Sequence, residues 1–167
     1  LIKKTLFPSQ VLPVVKILSA LAPHGIFLLV LGGLIIAQGM PIDFFFLQFI
    51  YYLFCLCVLA LGLGWAFSAL TVFIRDVAQI VAVIIQIGFW ATPIFWELSI
   101  MPARVQFFLK LNPMTYVVQG YRESFIYFVP FWNHPLYTLY FWIVTSAIFI
   151  GGAMIFRKLK PQFADVL

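Results

Sequence analysis

Four long stretches of this chain carry no Asp, Glu, Lys or Arg: residues 17–37, 44–74, 77–95 and 136–156. Each is long enough for a helix to cross a hydrocarbon core of roughly 30 Å. A charge at the centre of such a helix costs roughly 2.5–3.5 kcal/mol. The ten basic and five acidic residues all fall outside these blocks, which is what lipid demands of a chain and a soluble core does not. The pattern predicts an all-α polytopic membrane protein with four transmembrane helices.

Composition agrees. Apolar residues make up 65% of the chain and charged residues 9%, against about 25% charged in a soluble domain. The net charge of +5 comes from basic residues at the ends of apolar spans, which reads as membrane orientation and excludes a nucleic-acid-binding face. The start of the chain lacks the short apolar block and small-residue cleavage site of a signal peptide. Because it begins with Leu, it is expected to be a fragment of a longer protein. Cys55 and Cys57, two residues apart in the longest apolar run, read as small packing residues.

Residues 96–135 decide the topology. They carry Glu97, Arg104, Lys110, Arg122 and Glu123 and are broken by Pro102 and by Asn112-Pro113. The apolar pieces within them, 105–109 and 116–129, are too short or too charged to span, so the segment is expected to enter and leave on one side as a re-entrant helical hairpin. Counting positive charge supports this. Four spans leave Lys3, Lys4, Lys16, Arg75, Arg157, Lys158 and Lys160 inside, and Arg104, Lys110 and Arg122 outside. A fifth crossing through 116–129 would reverse the balance and strand Arg122 in lipid.

The expected layout is a cytoplasmic segment at 1–16, spans at 17–37, 44–74 and 77–95, an external element at 96–135, a last span at 136–156 and a cytoplasmic tail at 157–167. The second span is long enough to tilt or to extend beyond the lipid.

Catalytic signatures are missing. No Gly is followed by Lys, so no phosphate loop is present, and H-E-x-x-H does not occur. Asp43, Asp76, Glu97, Glu123 and Asp165 all lie outside the spans, which argues against a proton relay in the membrane. His24, beside Pro23, reads as a filler at a proline kink. The composition is that of a conduit without an engine of its own, so energy for transport has to come from a partner.

Other features keep two readings each. Small residues recur four apart (Gly62 and Ala66, Gly64 and Ser68, Gly33 and Ala37, Gly88 and Thr92), suited to close helix packing within one bundle or between subunits. Aromatic side chains crowd the outer half, as an interfacial belt or as rings that line an exit and stack on sugars; Tyr51, Tyr52, Trp90 and Trp96 are the candidates for the second role. Arg75-Asp76 is a helix boundary, with Asp76 capping the third span, or a partner contact. Residues 6–13, framed by Pro8 and Pro13, lie on the membrane surface or form a short helix offered to a soluble subunit.

Five stretches together carry a family likeness: 7–21 (FPSQVLPVVKILSAL), 61–77 (LGLGWAFSALTVFIRDV), 91–96 (ATPIFW), 111–122 (LNPMTYVVQGYR) and 157–167 (RKLKPQFADVL). In sequence and spacing they resemble the permease subunit of type 2 ABC exporters, in the branch that exports O-antigen, capsule or teichoic-acid chains. Two departures are Gln10, where the family commonly has an acid, and Thr71, where it commonly has Asn.

The resemblance implies a six-span subunit, of which this chain would be the carboxy-terminal two-thirds. It also implies a homodimer around a channel, with a nucleotide-binding ATPase subunit beneath each half. ATP and magnesium belong to that partner, and no cofactor or metal is expected here. Phe7, Pro8, Gln10, Pro13, Arg75 and Asp76 would couple to the ATPase. Pro102, Asn112, Pro113, Tyr116, Tyr121 and Arg122 would belong to the re-entrant gate. The substrate would be a lipid-linked glycan crossing the bacterial inner membrane, with both ends of the chain cytoplasmic. The alternatives are a drug or lipooligosaccharide exporter of the same superfamily, a membrane-embedded glycosyltransferase or acyltransferase, and a structural scaffold.

Overall fold

The structure, a computed structural model, describes residues 10–163. Phe7, Pro8 and residues 164–167 lie outside the described residues. The chain divides into two compact units, residues 1–41 and 42–167.

The first unit holds α1 (Val11–Ala37). The helix starts before the uncharged run, so residues 11–16 of the expected coupling segment and the first span form one continuous helix. Lys16 marks a membrane boundary and does not interrupt a helix. Pro13 is tolerated because it falls in the first turn, where backbone N–H groups have no acceptor. Pro23, in the middle, withholds a bond from the carbonyl of residue 19. At 27 residues the helix is about 40 Å long, and its Phe27 and Leu29 are 72% and 78% exposed, a surface suited to lipid. Gly39, with φ of +66°, turns the chain where a side chain would be strained.

The second unit is built on α2 (Phe49–Phe73), extended at its start by a 3-10 turn over Phe44–Gln48, and on α6 (Pro135–Leu159). Both are apolar all round. Their buried residues nevertheless fall on single stripes: Tyr52, Cys55, Leu59, Gly62 and Ala69 on α2, and Phe141, Thr145, Gly152 and Phe156 on α6.

The two stripes pack against each other in parallel. Trp142 Nε1 donates to Tyr51 Oη at 2.9 Å, the Trp65 and Phe149 rings lie 5.2 Å apart, and the Phe73 and Phe163 rings lie 6.0 Å apart. Contacts thus advance together along both chains. Gly62 and Gly152 make the crossing possible. A Cβ on Gly62 would stand 2.7 Å from Phe149 Cα, and one on Gly152 would collide with the Gly62 carbonyl oxygen. Of the small-residue pairs expected to pack, Gly62 and Ala66 serve this crossing within the bundle, since Ala66 N would lie 3.4 Å from a Gly152 Cβ.

After α2 the chain turns at Ile74-Arg75 into α3 (Asp76–Ala91). Asp76 does not cap α3 as expected. It stands in the first turn, Arg75 takes the cap position, and no side-chain cap bond is made. A carboxylate there still complements the positive end of the helix dipole. The third span was expected over 77–95, but the helix stops at Ala91 because Thr92 precedes Pro93, which pushes Thr92 out of helical geometry. Thr92 closes the end by giving both its N–H and its hydroxyl to the Gly88 carbonyl, at 2.8 and 2.7 Å. Among the described residues, three helical stretches, 11–37, 44–73 and 135–162, are long and apolar enough to cross a membrane. The 16 residues of α3 reach about 24 Å, so α3 is the short member of the expected four.

Between α3 and α6 come a 3-10 turn (Leu98–Ile100), α4 (Ala103–Lys110), α5 (Pro113–Arg122), a π turn (Glu123–Tyr127) and a second 3-10 turn (Phe131–Asn133). Prolines at the starts of α5 and α6 fit positions whose N–H would be unsatisfied. Phe128, left-handed with φ of 53°, ends the π turn, and Val129 N returns to the Glu123 carbonyl at 3.1 Å. Cys55 is buried and Cys57 half-buried, both as free thiols.

Candidate functional site

Residues 97–133 gather at the end of the bundle where α2 and α6 both begin. Gln48, at the foot of α2, holds them there with both ends of its amide. Its Nε2 donates to the Val129 carbonyl at 3.0 Å and its Oε1 accepts from Phe131 N at 2.9 Å. Because α2 and α6 run the same way, one return through α3 connects them, and the segment between α3 and α6 has no need to cross.

At the centre is a tyrosine network. Tyr116 of α5 is 3% exposed; its ring stacks on Phe141 at 4.5 Å and tilts against Tyr52 at 5.4 Å. Its hydroxyl lies 3.2 Å from Tyr51 Oη and 3.0 Å from Thr138 Oγ1. Gly120, one turn on, lies so close to the Tyr52 ring that a Cβ would overlap it.

Tyr52 donates to Glu123 Oε2 at 3.4 Å, and His134 Nε2 lies 3.4 Å from Glu123 Oε1. Residues of α2, the π turn and the start of α6 thus meet at one carboxylate. Burial pushes the Glu123 carboxyl above the ordinary carboxylate range, against the downward pull of His134 and Tyr52. A carboxyl with a folded pKa above its unfolded one stabilises the fold fully below the ordinary carboxylate range. That contribution is lost as pH rises through the folded pKa. Glu123→Gln removes the titration, so its unfolding temperature is expected to vary less than the wild type's between about pH 4 and 7, a difference read by thermal scans in detergent.

The expected gate residues all fall in this assembly. Pro102 caps α4, Pro113 opens α5, and Tyr121 is half-buried. Arg122 Nη2 donates to the Ile94 carbonyl at 3.0 Å, anchoring the chain just after α3. Asn112 caps α5 by accepting from Met114 N at 3.0 Å, and its Nδ2 donates to Thr92 Oγ1 at 3.0 Å. Asn112→Ala is expected to cost about 1 kcal/mol and to loosen α5 from the end of α3; hydrogen exchange over 92–122 checks this.

The candidate channel aromatics separate. Tyr51 and Tyr52 have their rings engaged by Phe131, Trp142 and Tyr116, Trp96 is half-buried, and Trp90 is 69% exposed. Gln48, Glu123 and His134 join the site without having been expected in it. Gln48 bonds to residues more than 80 positions away, and no local pattern announces such a link.

Of the coupling candidates, Gln10 takes the cap position of α1, Pro13 its first turn, and Arg75 and Asp76 are exposed at the α2–α3 turn. The tail packs at that same end of the second unit, with Phe163 5.6 Å from the Phe156 ring as well as against Phe73. Among the described residues, no group of three or more His, Cys, Asp or Glu is placed to hold a metal ion.

Comparison with known proteins places this arrangement. The family model described as ABC-2 type transporter matches residues 5–126. The chain belongs to the ABC-2 type transporter family. Two O-antigen export system permease proteins RfbA of Klebsiella pneumoniae are 28% identical over 181 residues and 25% over 177, each alignment covering all of the chain. One of the same name from Myxococcus xanthus is 26% identical over 167 residues, covering 99% of it. The chain spans 64% of the length of these curated relatives. Family membership and the apolar helices make it a multi-pass transport-family membrane protein, with the α2–α3 hairpin, α4 and α5 inside the matched region.

Proposed function

We propose that this chain belongs to the transmembrane subunit of an exporter that moves lipid-linked polysaccharide across the bacterial inner membrane, driven by ATP hydrolysed in a separate subunit. The observation that carries this is the alignment of the chain, end to end, with O-antigen export permeases. A second copy of the chain completes the channel, and membrane lipid surrounds it. Residues 96–135 face the outside; both ends of the chain, with the exposed Arg75-Asp76 turn, face the cytosol and the ATPase.

ATP binding can bias the conduit only through a difference in affinity for its two states. The short Arg75-Asp76 turn, tied to α2 on one side and α3 on the other, is one lever for that difference, and residues 6–13 are the second contact. Reconstitution of the full-length subunit with its ATPase and lipid-linked glycan tests the reading. ATP-dependent glycan movement is the expected result, lost when Arg75 and Asp76 are replaced by alanine. Undiminished movement in that variant, or after charged residues replace Phe7 and Pro8, removes the coupling role, and no movement with the wild type removes the function.

A further inference from the structure

Beside the Glu123–His134 pair lies a cavity of about 220 Å³, room for about seven waters. Lys110, Gln119, Glu123, His134 and Tyr137 line it, together with Leu98, Ser99 and Gln106. A second hollow of about 290 Å³ adjoins it, sharing Lys110, His134 and Tyr137 and walled by Phe107, Leu136 and Tyr140. The chemistry changes from one to the other. The first combines a pure donor (Lys110), an acceptor carboxylate (Glu123) and groups that do both (Gln119 and the Tyr137 hydroxyl). Gln119 Oε1 and Tyr137 Oη are buried without a partner in the protein. The second offers aromatic faces: the Tyr137 and Tyr140 rings lie within 14° of parallel, 6.5 Å apart. Tyr140 is fixed by donating its hydroxyl to the Leu111 carbonyl at 2.7 Å.

A hydrocarbon ligand would leave the polar cavity unsatisfied, and a fully ionised phosphate would have no hydrogen to give the Gln119 and Glu123 oxygens. A sugar fits both hollows, because its hydroxyls donate and accept around the edge while its C–H face stacks on aromatic rings. We propose that the paired hollows form a saccharide cleft in the re-entrant element, with Lys110, Gln119 and Glu123 holding the hydroxyls of one sugar while the next lies on Tyr137 and Tyr140. This rests on the export reading and adds to it a binding place outside the bundle core.

The test uses the full-length permease with its ATPase in lipid nanodiscs. The probes are oligosaccharides of two to four sugars, released by mild acid from the surface polysaccharide of cells that carry the gene. Saturation-transfer NMR is expected to show transfer to sugar ring protons, reduced more than fivefold in Gln119→Leu and in Ser99→Trp. Ser99 lines the cavity and is exposed, so tryptophan there takes up room in it without disturbing the core and keeps the test decisive if Gln119→Leu does not fold. Wild-type signal in Ser99→Trp overturns the cleft. No transfer with the wild type, in cells whose surface polysaccharide disappears on deletion of the gene, overturns the cleft and leaves export standing. Polysaccharide still displayed after deletion overturns both.

Discussion

Gly151→Ala and Gly152→Ala are expected to change stability in opposite directions although they are neighbours on one helix. A Cβ at Gly151 meets nothing within 4 Å, whereas one at Gly152 meets the backbone carbonyl of Gly62. At Gly151 the change removes a helix-weakening glycine, worth up to about 1 kcal/mol. At Gly152 the obstacle is main chain, which cannot turn aside as a side chain does, so α2 and α6 have to separate. The expected loss is about 3 kcal/mol, the upper part of the overpacking range. In lipid no hydrophobic force restores a parted crossing, because association depends on close van der Waals approach. Thermal unfolding of the full-length protein in detergent, followed by size-exclusion chromatography, measures both variants. Equal responses would show that the Gly62–Gly152 crossing does not hold the bundle.

Tyr116→Ala is expected to cost about 3–5 kcal/mol, as for other large aromatic truncations, and to detach α5 from α2 and α6. Tyr116 is packed by three rings, Phe141, Tyr52 and Tyr137, and its hydroxyl has two partners, Tyr51 and Thr138. Tyr116→Phe keeps the ring and loses only the hydroxyl contacts, so its cost is expected to be about 1 kcal/mol. Thr138 then still has the Phe131 carbonyl at 3.4 Å. The ordering of the two variants matters more than either value. If phenylalanine costs as much as alanine, the network is held by hydroxyls and not by stacked rings.

The long helices were legible because lipid forbids charge, and the uncharged runs located α1, α2 and α6. Their ends were less so. Lys16 lies inside α1 because a charge marks where lipid stops, which is a different boundary from where hydrogen bonding stops. Thr92-Pro93 ends α3 short of the uncharged run for the converse reason: the sequence stays apolar while the backbone cannot remain helical. Pro102 and Asn112-Pro113 announced the breaks that delimit α4 and α5, since those residues have definite roles at helix starts. The α2–α6 pairing was only half visible. Helices apolar on every side have no amphipathic stripe to orient them; Gly62 and Ala66 pointed to one face, and nothing in the local sequence of Gly152 singled it out as the partner. The meeting of Glu123 with Tyr52 and His134 is a product of tertiary folding, invisible to any spacing rule.

Residues 96–135 are expected to fold back at one membrane face while the chain on either side of them crosses. Single cysteines at Ile100, which is 73% exposed, and at Lys158, placed in full-length protein lacking Cys55 and Cys57, measure this directly. In intact spheroplasts a membrane-impermeant maleimide should label position 100 at once and position 158 only after lysis. Labelling of position 158 before lysis, or protection of position 100, would contradict the account.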